Sequence, residues 1–361
     1  MSDQQNDLLY TEDEEALRDS VRGALKRGCS TATLLALYDE PDTDVAGLWR
    51  TLAVDMGLAG LLVPEDRGGA GAGPREAATV LEELGRGVAP VPFLTSAVIA
   101  TQALLGTDDS AVLPRLAAGE VTAALVLPWT AHRGEWEPVS GAVQPVAGAL
   151  DADVLLVPVA DGDDVALRLV PREQAEVTPL ISFDMTRRLA RVEVPADAGD
   201  VIATGAAARD AVDDALGLGA ALLASEQLGL AQWCVQTTVE YGLTRVQFAR
   251  PIGSFQAIKH RLADLFTEQV LAQASARQAA VAASLPAGED ERLIAEHVAA
   301  TYCSDMAVHA AEEALQLHGG IGMTWEHPLH LYLKRAKANQ LALGTPERHR
   351  AALAGVVDLP A

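Results

Sequence analysis

"RVQFARPIGSFQAIKHRLADLF", residues 245–266, decides how this chain is read. Arg245 and Arg250 bracket Phe248, the chain turns through Pro251 and Gly253, and an amphipathic segment follows. Ile258, Leu262, Leu265 and Phe266 recur at helical spacing and predict one apolar helix face. Arg245, Arg250, Lys259, His260 and Arg261 crowd together here in an otherwise acidic chain. Such a cluster poses the question of an anion. A guanidinium fork matches phosphate oxygens in a bidentate manner, whereas Lys259 and His260 read as a solvated helix face.

The background makes the cluster stand out. The chain has 361 residues, 50 acidic against 27 basic, and a formal net charge of −23. That balance disfavours nucleic acid and anionic membranes as partners. With 49% hydrophobic residues the chain is long enough for two or three domains. Cys29, Cys234 and Cys303 lie far apart and form no CxxC pair, so neither zinc nor a disulfide framework is expected, and the reducing cytoplasm is the expected compartment. The polar, acidic start lacks the basic and apolar blocks of a signal peptide. No apolar run reaches membrane-spanning length.

Texture changes twice along the chain. Residues 1–120 read as an N-terminal α-helical domain, with Thr11 as a helix cap and Pro74 entering a helix that stops near Gly85. The glycine-rich loop at 68–73 lacks the Lys-Ser/Thr ending of a phosphate loop and reads as a structural turn. Residues 121–205 read as a small central β domain: "VTAALVLP", "DVLLVPV", "DVALRLVP" and "LARVEVP" are short and Pro-punctuated. Val165, Leu167 and Leu169 alternate with Ala166 and Arg168, and Ala190, Val192 and Val194 with Arg191 and Glu193, which predicts half-buried strands. Residues 206–361 read as a C-terminal bundle of four long helices, the first running through "ARDAVDDALGLGAALLASEQLGLAQWCVQTTVEYGL". The expected fold class is α+β, with helices, strands and helices in segregated layers.

Three segments carry a family resemblance. Residues 241–266 resemble the acyl-CoA dehydrogenase signature, an Arg-x-x-Phe-Gly-x-Pro-Ile core followed by Gln. "ALQLHGGIGMTWEHPLHLYLKRAK" resembles the second signature, Gln-x-x-Gly-Gly-x-Gly, and "LLVPEDRGGAGAGPREAATVLEELGRG" the N-terminal segment of the same family. The resemblance implies a flavoprotein that binds FAD between the β domain and the bundle, with the adenosine end reaching a neighbouring subunit. It further implies an acyl-CoA thioester as substrate and electron-transfer flavoprotein as acceptor. The assembly it implies is a homodimer or homotetramer, or a heterotetramer with a homologue. On the matching positions, Arg245 corresponds to the arginine on the FAD pyrophosphate, Phe248 to the aromatic near adenine and Gln256 to a polar FAD contact. Gln316, Gly319 and Gly320 correspond to the loop at the adenosine diphosphate end, and Thr345 to the threonine beside the flavin. The anion of the opening question is then a pyrophosphate.

The departures concern catalysis. Dehydrogenation removes an α-proton, which needs a carboxylate, and a β-hydride, which the flavin takes. Leu343 occupies the place of the family's loop glutamate and is expected to shape the substrate pocket instead. Gly219 occupies the alternative base position. Ala249 replaces the usual glycine after Phe248, and "LPWTAHRGEWEP" stands where the family carries a Gly-Ser-Asp segment. Glu226 is the lone charged residue between Asp214 and Glu240, two helical turns beyond Gly219 on the same face. "ASEQLG" around it resembles the helix of a subgroup from steroid-degrading actinobacteria. A lone buried carboxylate has its pKa raised, which suits a base, so Glu226 is the expected catalytic residue. His318 is expected to pack at the FAD loop, and the spacing of His327 and His330 gives no metal set. Three functions follow: an FAD-dependent acyl-CoA dehydrogenase, a non-catalytic partner subunit completing the FAD site of a homologue, or a flavin monooxygenase on the same fold. The acyl group, and whether CoA or an acyl carrier protein bears it, stay open.

Overall fold

The computed structural model describes residues 8–40, 43, 45–107 and 111–358. The first seven residues, on which the expected lack of a signal peptide partly rests, lie outside the described residues. Helix α1 (Glu12–Gly28) starts at a capping box: Thr11 Oγ1 accepts the Glu14 backbone N–H, and the Glu14 carboxylate accepts the Thr11 N–H at 2.7 Å. Glu14 is fully buried and also receives Arg75 at 3.1 Å and Arg277 at 2.8 Å. Next come α2 (Thr31–Asp39), α3 (Ala46–Arg50), which continues as π-helix over Thr51–Asp55, and α4 (Pro74–Arg86). A π-helical segment, Phe93–Ala100, runs into α5 (Thr101–Leu105), and α6 (Val112–Ala117) closes the helical part. The loop at 68–73 is the structural turn expected: the N–H groups of Ala70, Gly71 and Ala72 donate to the carbonyls of Gly60, Val63 and Leu61.

The middle of the chain folds as two small sheets. Strands β1 (Ala123–Leu125), β2 (Ala142–Ala147), β3 (Val154–Asp161), β4 (Asp164–Pro171), β5 (Glu176–Leu180), β6 (Leu189–Glu193) and β7 (Asp200–Thr204) form the orders β1-β3-β4-β7 and β2-β6-β5. β1 and β3 are parallel and the other pairs antiparallel. Sequence reading misses β2, β5 and β7, which carry Pro or an edge pattern rather than clean alternation. Ala190 and Val192 are buried as expected. In β4 the expected alternation is blurred, because Val165 and Leu167 meet the helical core while Val170 packs with Leu155, Val157 and Val192 between the sheets. A sheet covered on both faces has no polar side.

Helix α7 (Gly205–Thr244) has 40 residues and spans about 60 Å at 1.5 Å per residue. A two-residue hairpin, β8 (Val246–Gln247) and β9 (Arg250–Pro251), turns it into α8 (Gln256–Ala282), followed by α9 (Asp290–His318), α10 (Leu329–Leu341) and a further short helix, α11 (Pro346–Val356), entered at a proline after Thr345. On α8, Leu265 is buried and Ile258 and Leu262 half-buried, but Phe266 is exposed beside Val270 and Leu271. The expected apolar face is therefore only partly covered, and a second apolar strip faces outward. Among the described residues no helix is long and apolar enough to cross a membrane.

The N-terminal helices are locked to the bundle by a backbone-to-backbone crossing of α4 and α7. A Cβ on Gly229 would lie 1.9 Å from the Glu82 carbonyl oxygen, and one on Gly85 2.0 Å from that of Glu226. Glycine is required there by contact. Gly229→Ala is expected to destabilise the chain by at least the roughly 1–3 kcal/mol of an overpacked core. Gly288→Ala, where nothing lies within 4 Å, serves as the control. Denaturant unfolding of both variants checks the contrast.

Candidate cofactor and substrate site

The residues singled out from sequence fall into three places. Arg245, Phe248, Gln256, Gln316, Gly319 and Gly320 are all exposed at one end of the bundle. The β8–β9 hairpin is closed by the Ile252 N–H donating to the Arg245 carbonyl at 2.8 Å. It sits next to the C-terminus of α9, because Tyr241 stacks on His318 with ring centroids 4.4 Å apart. His318 Nδ1 also donates to the Ala314 carbonyl oxygen of its own helix at 2.8 Å, so it packs as expected. At the hairpin tip Phe248 and Ala249 take φ values of +52° and +61°. A non-glycine residue in that region costs roughly 1–2 kcal/mol, and here the strain holds Phe248 outward at 88% exposure.

The basic cluster sorts itself. Arg261 is spent on Glu313 at 2.6 Å, and Arg250 lies over the Phe255 ring at 3.9 Å. Arg245 pairs with no acidic side chain among the described residues. A Cβ on Gly319 or Gly320 would meet nothing within 4 Å, and Gly319 has φ +62°. A free guanidinium and an open glycine backbone suit an extended phosphate ligand that arrives from outside.

Leu343 and Thr345 stand elsewhere, between the β domain and α9. Leu343 is 2% exposed, and its N–H donates to the Trp129 carbonyl at 2.8 Å. With Thr95, Ile99, Leu127, Trp129 and Leu216 it lines a narrow apolar cleft. A Cβ on Gly219 would meet Ile99 at 2.8 Å and Leu343 at 3.1 Å, so no carboxylate has room at that position without a shift. Thr345 caps α11, its Oγ1 accepting the Arg348 N–H. The cleft offers few polar groups for a flavin ring, in contrast with the open bundle end.

Glu226 lies in a third environment, and the premise of a lone carboxylate is reversed. It is 1% exposed. Its Oε2 receives Arg187 Nη2 at 2.6 Å, and its Oε1 receives Arg335 Nη1 and Asn339 Nδ2, each at 2.9 Å. Arg335 also pairs with buried Asp184 and donates to Thr186 Oγ1 at 2.6 Å; Arg187 donates to Asn339 Oδ1 at 2.6 Å. Burial alone pushes the Glu226 carboxyl up, but Arg187 and Arg335 outweigh it and hold the pKa at about 2. Such a group resists protonation. It accepts three hydrogen bonds, and it joins α7, α10 and the loop after β5 as a structural knot. Sequence reading missed its partners. A signal existed: Tyr332, Arg335, Ala336 and Asn339 share one helix face, so Arg335 and Asn339 sit among core positions and need a buried partner.

The comparisons with known proteins agree with this fold. Residues 11–120 match "Acyl-CoA dehydrogenase, N-terminal domain" and residues 209–357 match "Acyl-CoA dehydrogenase, C-terminal domain". The chain belongs to the acyl-CoA dehydrogenase family of oxidoreductases. It is 35% identical to acyl-CoA dehydrogenase IpdE2 of Mycobacterium tuberculosis, over 93% of this chain and 94% of that protein. Among solved structures it resembles the Tcur3481-Tcur3483 steroid ACAD G363A variant (27% identity, TM-score 0.84, covering 96% of this chain and 98% of that one). It also resembles the ChsE4-ChsE5 complex from Mycobacterium tuberculosis (26% identity, TM-score 0.85, covering 98% and 100%).

Replacing Glu226 tests the knot. Glu226→Gln leaves two buried arginines short of one counter-charge and is expected to cost on the order of 3–5 kcal/mol at pH 7. The folded pKa of about 2 lies below the ordinary 4.5. The contribution is therefore present above about pH 4.5 and is lost as pH falls toward 2. The stability gap between wild type and Glu226→Gln should narrow over that window in denaturant titrations.

Proposed function

We propose that this chain is the base-less component of a two-chain acyl-CoA dehydrogenase. In this reading its exposed bundle end completes the adenosine diphosphate half of an FAD site, while a homologous subunit provides the flavin-ring pocket and the carboxylate that takes the α-proton. Bound FAD supplies the acceptor for the β-hydride, and electron-transfer flavoprotein is the proposed onward acceptor. Arg245 and the Gly319–Gly320 backbone hold the diphosphate, Phe248 packs on the adenine, and Gln256 and Gln316 make polar contacts at the same end. Leu343 closes the apolar wall opposite Trp129 in this subunit, and Thr345 fixes the loop behind it.

The carrying observation is that neither familiar base position bears a carboxylate, one being Leu343 and the other Gly219, where a Cβ would strike Ile99 and Leu343, while Glu226 is held at low pKa by two arginines. A group with pKa about 2 that already accepts three hydrogen bonds is poorly matched to proton abstraction near neutrality. The outward strip of Phe266, Val270 and Leu271 and the exposed Phe248, Met323 and Trp325 support burial by another subunit. Two relatives of known structure, a paired steroid ACAD and the ChsE4-ChsE5 complex, support both the pairing and a bulky, steroid-like acyl-CoA as substrate.

Expression alone and together with a homologous chain from the same genome tests this. Purified alone, the chain should carry well under one FAD per chain, and no acyl-CoA should bleach it anaerobically. The pair should hold stoichiometric FAD and be bleached by a steroid-derived acyl-CoA. A homo-oligomer with one FAD per chain that is bleached by acyl-CoA would overturn the reading in favour of an enzyme with its own base. In the pair, Arg245→Ala should weaken FAD binding by about 10- to 100-fold, since a charged hydrogen bond is worth roughly 1.5–3 kcal/mol. Equilibrium dialysis of FAD measures it.

A further inference from the structure

Behind the Leu343–Thr345 loop three imidazoles converge from different parts of the fold. His132 comes from the segment between β1 and β2, His297 from α9 and His349 from α11. All three are buried, and one ring nitrogen of each lies within 4.8 Å of the others. His297 Nδ1 and His349 Nδ1 are 3.0 Å apart. The His132 ring stacks on His297 at 5.7 Å and meets His349 edge-on at 4.7 Å. Neither ring nitrogen of His132 has a hydrogen-bond partner.

A buried imidazole with both nitrogens unpaired carries an uncompensated desolvation cost and demands an explanation. A hydrogen bond between the two Nδ1 atoms satisfies His297 and His349 and leaves His132 with nothing. A cation at the centre satisfies all three. We propose that His132, His297 and His349 form a structural site for a divalent zinc-like metal ion, with Glu296 or a water completing four-coordination.

The second contacts fit. His349 Nε2 lies 3.2 Å from the Leu343 carbonyl oxygen. A neutral imidazole that donates there from Nε2 must leave Nδ1 bare, and Nδ1 is the atom turned to the centre; a ligating histidine anchored through its other nitrogen to a backbone carbonyl is the usual arrangement. Both Glu296 carboxylate oxygens lack hydrogen bonds, and Oε1 is 4.0 Å from His297 Nδ1. The cations nearby are matched: Arg133 by Glu296 at 3.3 Å and Asp214 at 3.5 Å, and Arg348 by Glu135 at 3.5 Å. Tetrahedral zinc with bonds of about 2.0–2.1 Å wants nitrogens roughly 3.4 Å apart, so side-chain shifts that open the 3.0 Å pair slightly and close the widest separation of up to 4.8 Å complete the set. Three imidazoles without a thiolate favour zinc over the harder cations.

The site would clamp the loop that fills the family's base position. Gly344 has φ +105°, and a Cβ there would lie 2.5 Å from His132 Cδ2 and 3.0 Å from His349 Nε2. The loop runs directly over the rings, so the metal would fix β domain, α9 and α11 to one point. This holds whichever subunit carries the flavin ring.

The test uses the full chain purified without a polyhistidine tag. Elemental analysis after dialysis against zinc should give about one zinc per chain. Cobalt loading should give the visible absorption of a four-coordinate site. His132→Phe keeps the ring volume without donors and should lower bound zinc at least tenfold and abolish the cobalt bands. A strong chelator should lower the melting temperature of the wild type and added zinc should restore it. Wild type without stoichiometric zinc or cobalt bands overturns the proposal, as does equal metal in His132→Phe. Should that variant fail to fold, the chelator arm decides: a wild-type melting temperature indifferent to chelator and zinc also overturns it.

Discussion

The buried knot of Glu226, Arg187, Arg335 and Asp184 is the interaction on which the arrangement of this molecule turns. Its four charges balance, and they come from α7, α10 and the loop that leads from β5 to β6. No one element could bury its share alone, because an unpaired ion in the interior costs several kcal/mol even after relaxation. The β domain is thus admitted to the bundle in one orientation. A hydrophobic contact could supply similar area without fixing direction, whereas the fork of Arg335, with Asp184 and Thr186 on one side and Glu226 on the other, accepts one geometry. Immediately beside it, the Gly85 and Gly229 backbones press on the carbonyls of Glu226 and Glu82, which leaves the helix carrying the carboxylate no freedom to slide.

That fixed frame holds two unlike surfaces apart. Arg245, Phe248, Gln316, Gly319 and Gly320 stand in solvent at the far end of α7 and α9. The loop at Leu343 lies toward the other end of α9, next to His297, 21 residues from His318, or about 30 Å along the helix. One end is open, charged and backbone-accessible; the other is apolar and shut.

Much of the frame was legible from sequence because it depends on local chemistry. The cap at Thr11, the proline entry at Pro74, the period-two strand around Val192 and the four long helices follow from rules that act over a few residues. Sequence also grouped Arg245 with the Gly319–Gly320 pair, and the structure places all three exposed at one end of the bundle. Glu226 misled for a physical reason. Its neighbours in sequence are apolar, but its partners at positions 187, 335 and 339 are up to 113 residues away, and the sign of a pKa shift is set by such partners. The three buried histidines escaped for the same reason, at 132, 297 and 349 with no common spacing. Pairing in space of residues distant in sequence carries no period to detect.

Packing sets what a carboxylate at either familiar position would meet. At Leu343 it would enter a cleft walled by Ile99, Leu127, Trp129 and Leu216, where burial without a counter-charge would raise its pKa. A carboxylate at Gly219 would strike Ile99 and Leu343 at its first carbon. The obstruction runs one way: Leu343 and Ile99 close the Gly219 position, whereas Gly219 has no side chain to close that of Leu343, whose main chain at φ +54° fixes the loop.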